Sequence, residues 1–205
     1  MSQLKLTADS GGGTVAIKGP ASTTGNAAIE LTVPGTGSGT LAVGDTGKIL
    51  QVVSTTKTDT ASFASANTSN FTDISGLSVS ITPSSTSSKI LVVATVAAAV
   101  GTGSLHVRLA RGSTGIAVGD SSSNRQSSTM SRRTQSSIYN LEITPMSFNF
   151  LDSPNTTSAT TYKVQATAGS TYDTTVYVNR SSGDNDYSYG ARVASTITVM
   201  ELSLI

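Results

Sequence analysis

The segment LSVSITP at 77–83 sets Leu77, Val79 and Ile81 against Ser78, Ser80 and Thr82 in strict alternation, and this period of two recurs along most of the chain. Alternation of that kind puts apolar side chains on one face of a strand and hydroxyls on the other, so it predicts half-buried β-strands. SLHVRLAR repeats it, with Leu105, Val107 and Leu109 inward and His106, Arg108 and Ala110 outward. So does TTYKVQATA, with Tyr162, Val164, Ala166 and Ala168 on one face. No window places apolar residues at i, i+3, i+4 and i+7 over three turns behind a capping box, the pattern that marks a helix. Ser and Thr together make up about a third of the 205 residues, while only 12% are charged. Solubility therefore rests on hydroxyls, which suit exposed strand faces and turns.

The strands fall into two kinds. Residues 1–46 are short apolar bursts (QLKLTA, TVAIK, AAIELTV) separated by Gly-rich turns at Gly11–Gly13 and Gly35–Gly39. Units of two or three such strands are marginal alone in water, so this stretch is expected to bury its faces against another copy or a partner, as an attachment or trimerising segment. The plainer alternative is a flexible arm. From residue 47 the strands lengthen: KILQVVS opens the second region, Pro83 closes the 77–82 strand, and SSKILVVATVAAAV, GTG and SLHVRLAR read as a β-hairpin. GDSSSNRQSSTMSRRTQSS at 119–137 reads as a long polar loop, NRSSGDNDYSYG at 179–190 as a second one, and the last strand is expected to run to Ile205. Residues 47–205 are thus expected to form a jelly-roll-like antiparallel β-sandwich, a knob following the N-terminal segment.

Composition narrows the chemistry. With no Cys and one His, thiol nucleophiles, zinc clusters and paired-His sites are excluded. His106 lies mid-strand with no Gly-x-Ser-x-Gly elbow, which favours an ordinary outward strand histidine over a triad member. Asp184 and Asp186 could serve as paired glycosidase carboxylates or a D-x-D calcium loop, but they lack a downstream bidentate Glu and suit a turn equally well. No catalytic residue, metal or other cofactor is therefore expected, and the chain reads as a non-enzyme. A net charge of +1 argues against nucleic acid as a partner, and the longest apolar run, Ile90–Val100, is too short to span a membrane. MSQLKLTADS lacks the apolar core of an export signal. Two groups of residues remain as candidate contacts. Arg108, Arg111, Arg125, Arg132 and Arg133 face only Asp120 along the sequence, so Arg125, Arg132 and Arg133 could meet an anionic glycan or an acidic surface. In the second loop Asp184 and Asp186 adjoin Tyr187 and Tyr189, which would point the same way in an extended segment and could stack on a sugar ring. Four of the six tyrosines (Tyr172, Tyr177, Tyr187, Tyr189) lie between residues 172 and 189. The plainer readings are solvated loops and a tyrosine pair packed on the rim.

The phrases KLTADSGGGTVAIKGPAST, GKILQVVSTTKTDT, SITPSSTSSKILV, SFNFLDSPNTTSATTYKVQ and ASTITVMELSLI resemble virion proteins of tailed bacteriophages, especially marine ones. The resemblance covers most of the chain and carries no catalytic motif. It implies a tail fibre, a tail-spike-like knob, or a head fibre or capsid decoration protein. Such a protein is usually homotrimeric, joins other virion proteins through its N-terminal part, and meets a host-surface glycan through its knob. Particles of this kind assemble in the cytoplasm and leave by lysis, which agrees with the lack of an export signal and of cysteine.

Overall fold

In a computed structural model, which describes residues 3–7, 14–18, 47–65, 70–134, 141–169 and 174–203, the protein is all-β. It divides into two compact units, Met1–Val43 and Gly44–Ile205. In the first, β1 (Gln3–Thr7) pairs antiparallel with β2 (Thr14–Lys18), in register from Gln3 opposite Lys18 to Thr7 opposite Thr14. The turns expected at Gly11–Gly13 and Gly35–Gly39, together with Tyr172 and Ile205, lie outside the described residues.

The second unit is a sandwich of two antiparallel sheets. Its strands are β3 (Lys48–Lys57), β4 (Ala61–Ala64), β5 (Thr72–Ile81), β6 (Lys89–Ala99), β7 (Gly103–Arg111), β8 (Thr114–Ile116), β9 (Met130–Thr134), β10 (Thr144–Asp152), β11 (Thr160–Ala168), β12 (Thr175–Val178) and β13 (Ser195–Ser203). The six-stranded sheet has β6 at its centre, with β10 on one side and both β13 and β12 on the other, backed by β3 and β4 respectively. The five-stranded sheet runs β5, β11, β7, with β8 and β9 each pairing part of β7. The links from β4 to β5, β5 to β6, β6 to β7, β9 to β10, β10 to β11 and β11 to β12 all pass from one sheet to the other, which is the jelly-roll-like winding the alternation predicts. Between the sheets lie the inward residues of the alternating strands, among them Leu77, Val79, Ile81, Leu105, Val107, Leu109, Tyr162, Val164 and Ala166, all buried. Fully burying a Val, Leu or Ile side chain contributes about 1.5–3 kcal/mol.

Three sequence expectations are corrected. SSKILVVATVAAAV and SLHVRLAR do not form a hairpin: β6 belongs to the six-stranded sheet and β7 to the five-stranded one, and Gly101–Gly103 link the two layers. The Gly-rich turn reverses the chain, but each strand finds longer partners elsewhere. Nor is 119–137 one long loop, because Met130–Thr134 form β9, with Met130 opposite Val107. The segment before it is tied to β7 by Thr129 N–H donating to Val107 O and Leu109 N–H donating to Thr129 Oγ1. Ala110, expected on the outward side, is fully buried.

The six-stranded sheet contains a break that the sequence does not announce. Ala98 pairs with Thr144 on one side and Val178 on the other, so β12 lies in line with β13 along the same edge of β6. A gap between them faces Ala97. Asn179 fills it, in the left-handed conformation (φ 61°) that Asn tolerates better than most residues. Its N–H donates to Ala97 O at 2.9 Å, and its Nδ2 donates to Lys57 O at 2.8 Å and Asp59 O at 2.9 Å, where β3 turns toward β4. Ser195 Oγ donates to Asn179 Oδ1 at 2.6 Å and accepts Ala97 N–H at 3.0 Å. Both side chains are fully buried, and every polar group in the break has a partner. Pro145 sits opposite Ala97 on β10, which pairs with β6 alone. Because Ala97 spends its N–H and C=O on the other side, the missing Pro N–H costs no ladder bond.

At the opposite end, carboxylates lock the sheets. Glu201 on β13 is buried and accepts from Ser84 N (2.7 Å), Ser84 Oγ (2.6 Å), Ser88 Oγ (2.7 Å) and Gln51 Nε2 (2.6 Å), tying the β5–β6 link to the six-stranded sheet. Burial alone would raise its carboxyl, but the hydrogen bonds from Ser84, Ser88 and Gln51 outweigh it and hold the pKa at about 2. Asp152 on β10 accepts from Arg111 of β7 and from the buried Tyr162 hydroxyl of β11 (2.6 Å), which joins the two layers.

Asn179→Asp keeps the size and the left-handed tolerance but sets carboxylate oxygens against two carbonyls. It should destabilise the fold by roughly 3 kcal/mol or more in urea unfolding, at least as much as Asn179→Ala; a loss under about 0.5 kcal/mol would contradict the bridging role. Because Glu201 is depressed from 4.5 to about 2, its contribution is complete above the ordinary carboxyl value and is lost as pH falls from about 5 toward 2. Glu201→Gln should flatten the melting temperature between pH 5 and 2.5 relative to wild type, and an unchanged slope would assign acid sensitivity elsewhere.

Candidate functional site

Beyond Asn179 the chain leaves the sheet and returns only at Ser195, so the intervening segment is free to form a surface feature. It is held at its base by Val193 N–H donating to Asn179 O (3.1 Å) and by Asp184 N–H donating to Ser181 Oγ (3.2 Å). Asp184 itself takes a left-handed φ of 46°, and both of its oxygens accept from Arg192 Nη2, at 3.2 and 2.9 Å. Arg180 approaches the same carboxylate at 3.8 Å and lies over the Tyr177 ring, 4.6 Å from its centroid. Asp184 thus ties the loop to Arg192. Among the described residues, no three His, Asp or Glu side chains converge as metal ligands.

Tyr187 and Tyr189 do point the same way, though by another route than an extended strand. Tyr187 N–H donates to Asn185 O (2.9 Å) and Gly190 N–H to Tyr187 O (2.8 Å), and this tight turn stacks the two rings with centroids 5.0 Å apart and planes 19° from parallel. The tyrosines are 50% and 72% exposed, a large apolar surface to leave in water. Tyr187 lines a polar pocket of about 280 Å³ with Asp184, Asn185, Asp186 and Arg192. Tyr189 lines an open apolar groove of about 420 Å³ with Leu141, Ile143, Pro145 and Val193, floored by Ala97 and Thr95 on the outer face of the six-stranded sheet. The stacked rings therefore stand between a hydrogen-bonding pocket and a greasy one. Such a wall offers an apolar ring face beside polar groups, as a saccharide needs.

The arginines do not gather. Arg132 and Arg133 are neighbours on β9 and point to opposite faces. Arg132 turns inward at the sandwich margin, paired with Glu142 and donating to Thr144 Oγ1 at 3.0 Å, whereas Arg133 is exposed on the outer face. Arg125 bonds its own turn through Ser122 Oγ at 2.8 Å. Arg108 donates to Gln165 Oε1 at 2.7 Å and lies over the Phe71 ring, and Arg111 is held by Asp152. Of the five arginines, Arg111 and Arg132 pair with carboxylates, Asp152 and Glu142, that lie outside the stretch read along the sequence. His106 faces outward opposite Thr167, half-buried beside Gly169, and burial holds its pKa below the usual value. A Cβ on Gly169 would lie 2.5 Å from His106 Nε2, so any side chain there would force the imidazole to move.

The residues that complete the site, Leu141, Ile143, Pro145 and Val193, carry no sequence signal linking them to the loop. A Cβ at Gly190 would meet Asn185 O and Tyr187 O, each at 3.2 Å, tighter than most such contacts. Gly190→Ala should weaken the near-ultraviolet circular dichroism of the stacked tyrosines while leaving the far-ultraviolet strand signal and the melting temperature within a few degrees of wild type. An unaltered near-ultraviolet band would show that the turn does not set the stack.

No known protein-family model matches the sequence, and no characterised protein matches it either.

Proposed function

We propose that the chain is a structural protein of a tailed-phage virion, a tail or head fibre or appendage. In this reading residues 1–46 anchor it to other virion proteins and help it assemble as a homotrimer, while residues 47–205 present the sandwich knob at the particle surface. The support is the sequence resemblance together with the layout of a small paired-strand unit ahead of a sandwich that encloses its own core. Placement as a capsid decoration protein fits the same layout. Its role is binding rather than catalysis, and the carrying observation is the tyrosine wall. Two exposed rings, held by a turn on a rigid sheet, separate an apolar groove from a pocket bearing Asp186, Asn185 and Arg192. A host-surface glycan suits that chemistry, with a sugar ring on an aromatic face and its hydroxyls on the amide and charged groups.

Antibody against the chain should label purified particles, and its absence from them would remove the virion reading. On an array of bacterial surface glycans the assembled wild-type chain should bind, and Tyr187→Ala with Tyr189→Ala should weaken binding about tenfold or more, equivalent to ~1.4 kcal/mol. Arg133→Ala should leave it unchanged. Absence of all glycan binding, or equal binding by the tyrosine variant, would overturn the glycan reading.

A further inference from the structure

The outer faces of the two sheets differ in kind. On the five-stranded sheet the outward residues include Asp73, Lys163, Arg108 and Arg133, and Lys163 pairs with Asp73 at 2.6 Å. That is an ordinary solvated face. The outward residues of β3, β13, β6 and β10 carry no charge between Lys89, which bonds Ser153 Oγ at the margin, and the 180–192 loop. Register places Leu151, Leu91, Met200 and Val52 side by side, one from each strand, in an apolar row across the sheet. Val52 is 56% exposed and Leu151 47%, and Ile49 and Leu50 extend the apolar surface at the start of β3. Contiguous apolar area of this kind on a sheet face marks an interaction surface.

Two pairs of hydroxyls beside it are already satisfied within the face. Ser54 Oγ meets Thr198 Oγ1 at 2.8 Å, and Thr95 Oγ1 meets Ser147 Oγ at 2.9 Å. Covering these four hydroxyls strands none of them. We propose that this face packs against the same face of further copies of the chain and forms the core of its assembly. Charge decides the occupant: an uncharged face gives a foreign partner no electrostatic handle, whereas identical copies bring no like charges together. The proposal deepens the assembly reading given above by naming its surface, and it leaves the tyrosine wall at the end of the same sheet free to meet a ligand.

The chain has no cysteine, so single thiols report cleanly. Full-length Ser54→Cys probes the uncharged face and Ser80→Cys the outward face of β5, with maleimide labelling and light scattering as readouts. The expected result is a wild-type mass that is a multiple of 20.8 kDa, Ser54→Cys protected at least tenfold and cross-linking between chains, and Ser80→Cys open. Val52→Glu with Met200→Glu should shift the assembly to monomers, and the cysteine probes decide the matter should that variant not fold. An assembly in which Ser54→Cys labels as readily as Ser80→Cys would overturn the proposed face while leaving the assembly reading intact. A monomer with Ser54→Cys open would overturn both. A monomer with Ser54→Cys protected would assign the cover to the chain's own residues 1–43 and overturn packing between copies.

Discussion

The bonds made by Asn179 hold the six-stranded sheet together where its ladder is interrupted. Without a partner at the break, Ala97 N–H and C=O and the carbonyl of Lys57 would be buried and unpaired, a cost of about 1–3 kcal/mol each. One amide side chain, one backbone N–H and the Ser195 hydroxyl satisfy all of them. The consequence reaches function. The chain can leave the sheet after β12, form a surface loop, and re-enter as β13 with no loss of pairing, so the tyrosine wall stands on a rigid base.

At the far end, buried carboxylates do the complementary work. Glu201 gathers Ser84, Ser88 and Gln51, while Asp152 joins Arg111 of one sheet to Tyr162 within the core. Buried charges of this kind are tolerable only when fully hydrogen-bonded, and these are. With polar locks at both ends, the apolar layer between need only fill space, which the many Val and Ala residues do. The chain can then leave one outer face uncharged.

Alternation made much of this legible from sequence. The inward sets at 77–81, 105–109 and 162–168 are inward, and the fold class follows from them. The misread hairpin around Gly101–Gly103 has a physical cause. A short Gly link signals reversal, but it cannot say whether the two strands pair or lie in opposing layers. The unbroken apolar run at the end of β6 held a clue, because Ala97 faces outward and is nonetheless buried beside the 189–194 segment, a sign of two-sided cover. The tyrosine pair was readable as a pair, yet its geometry comes from backbone hydrogen bonds at Asn185 and Gly190. Arg132 and Arg133 looked like one feature and are two, since neighbours on a strand face opposite ways. Asn179, between a strand and a polar loop, looks like any turn residue, because the groups it bridges lie about 80 and 120 positions away.

The proposed assembly, with one sheet packed inward and the tyrosine wall outward, has a definite arrangement in space. A reconstruction of the assembled full-length chain by electron cryo-microscopy tests it most directly. The account predicts Val52, Leu91, Met200 and Leu151 at contacts between copies, with Tyr187 and Tyr189 at the open periphery. Copies joined through the Asp73–Lys163 face, or tyrosines buried between them, would contradict it.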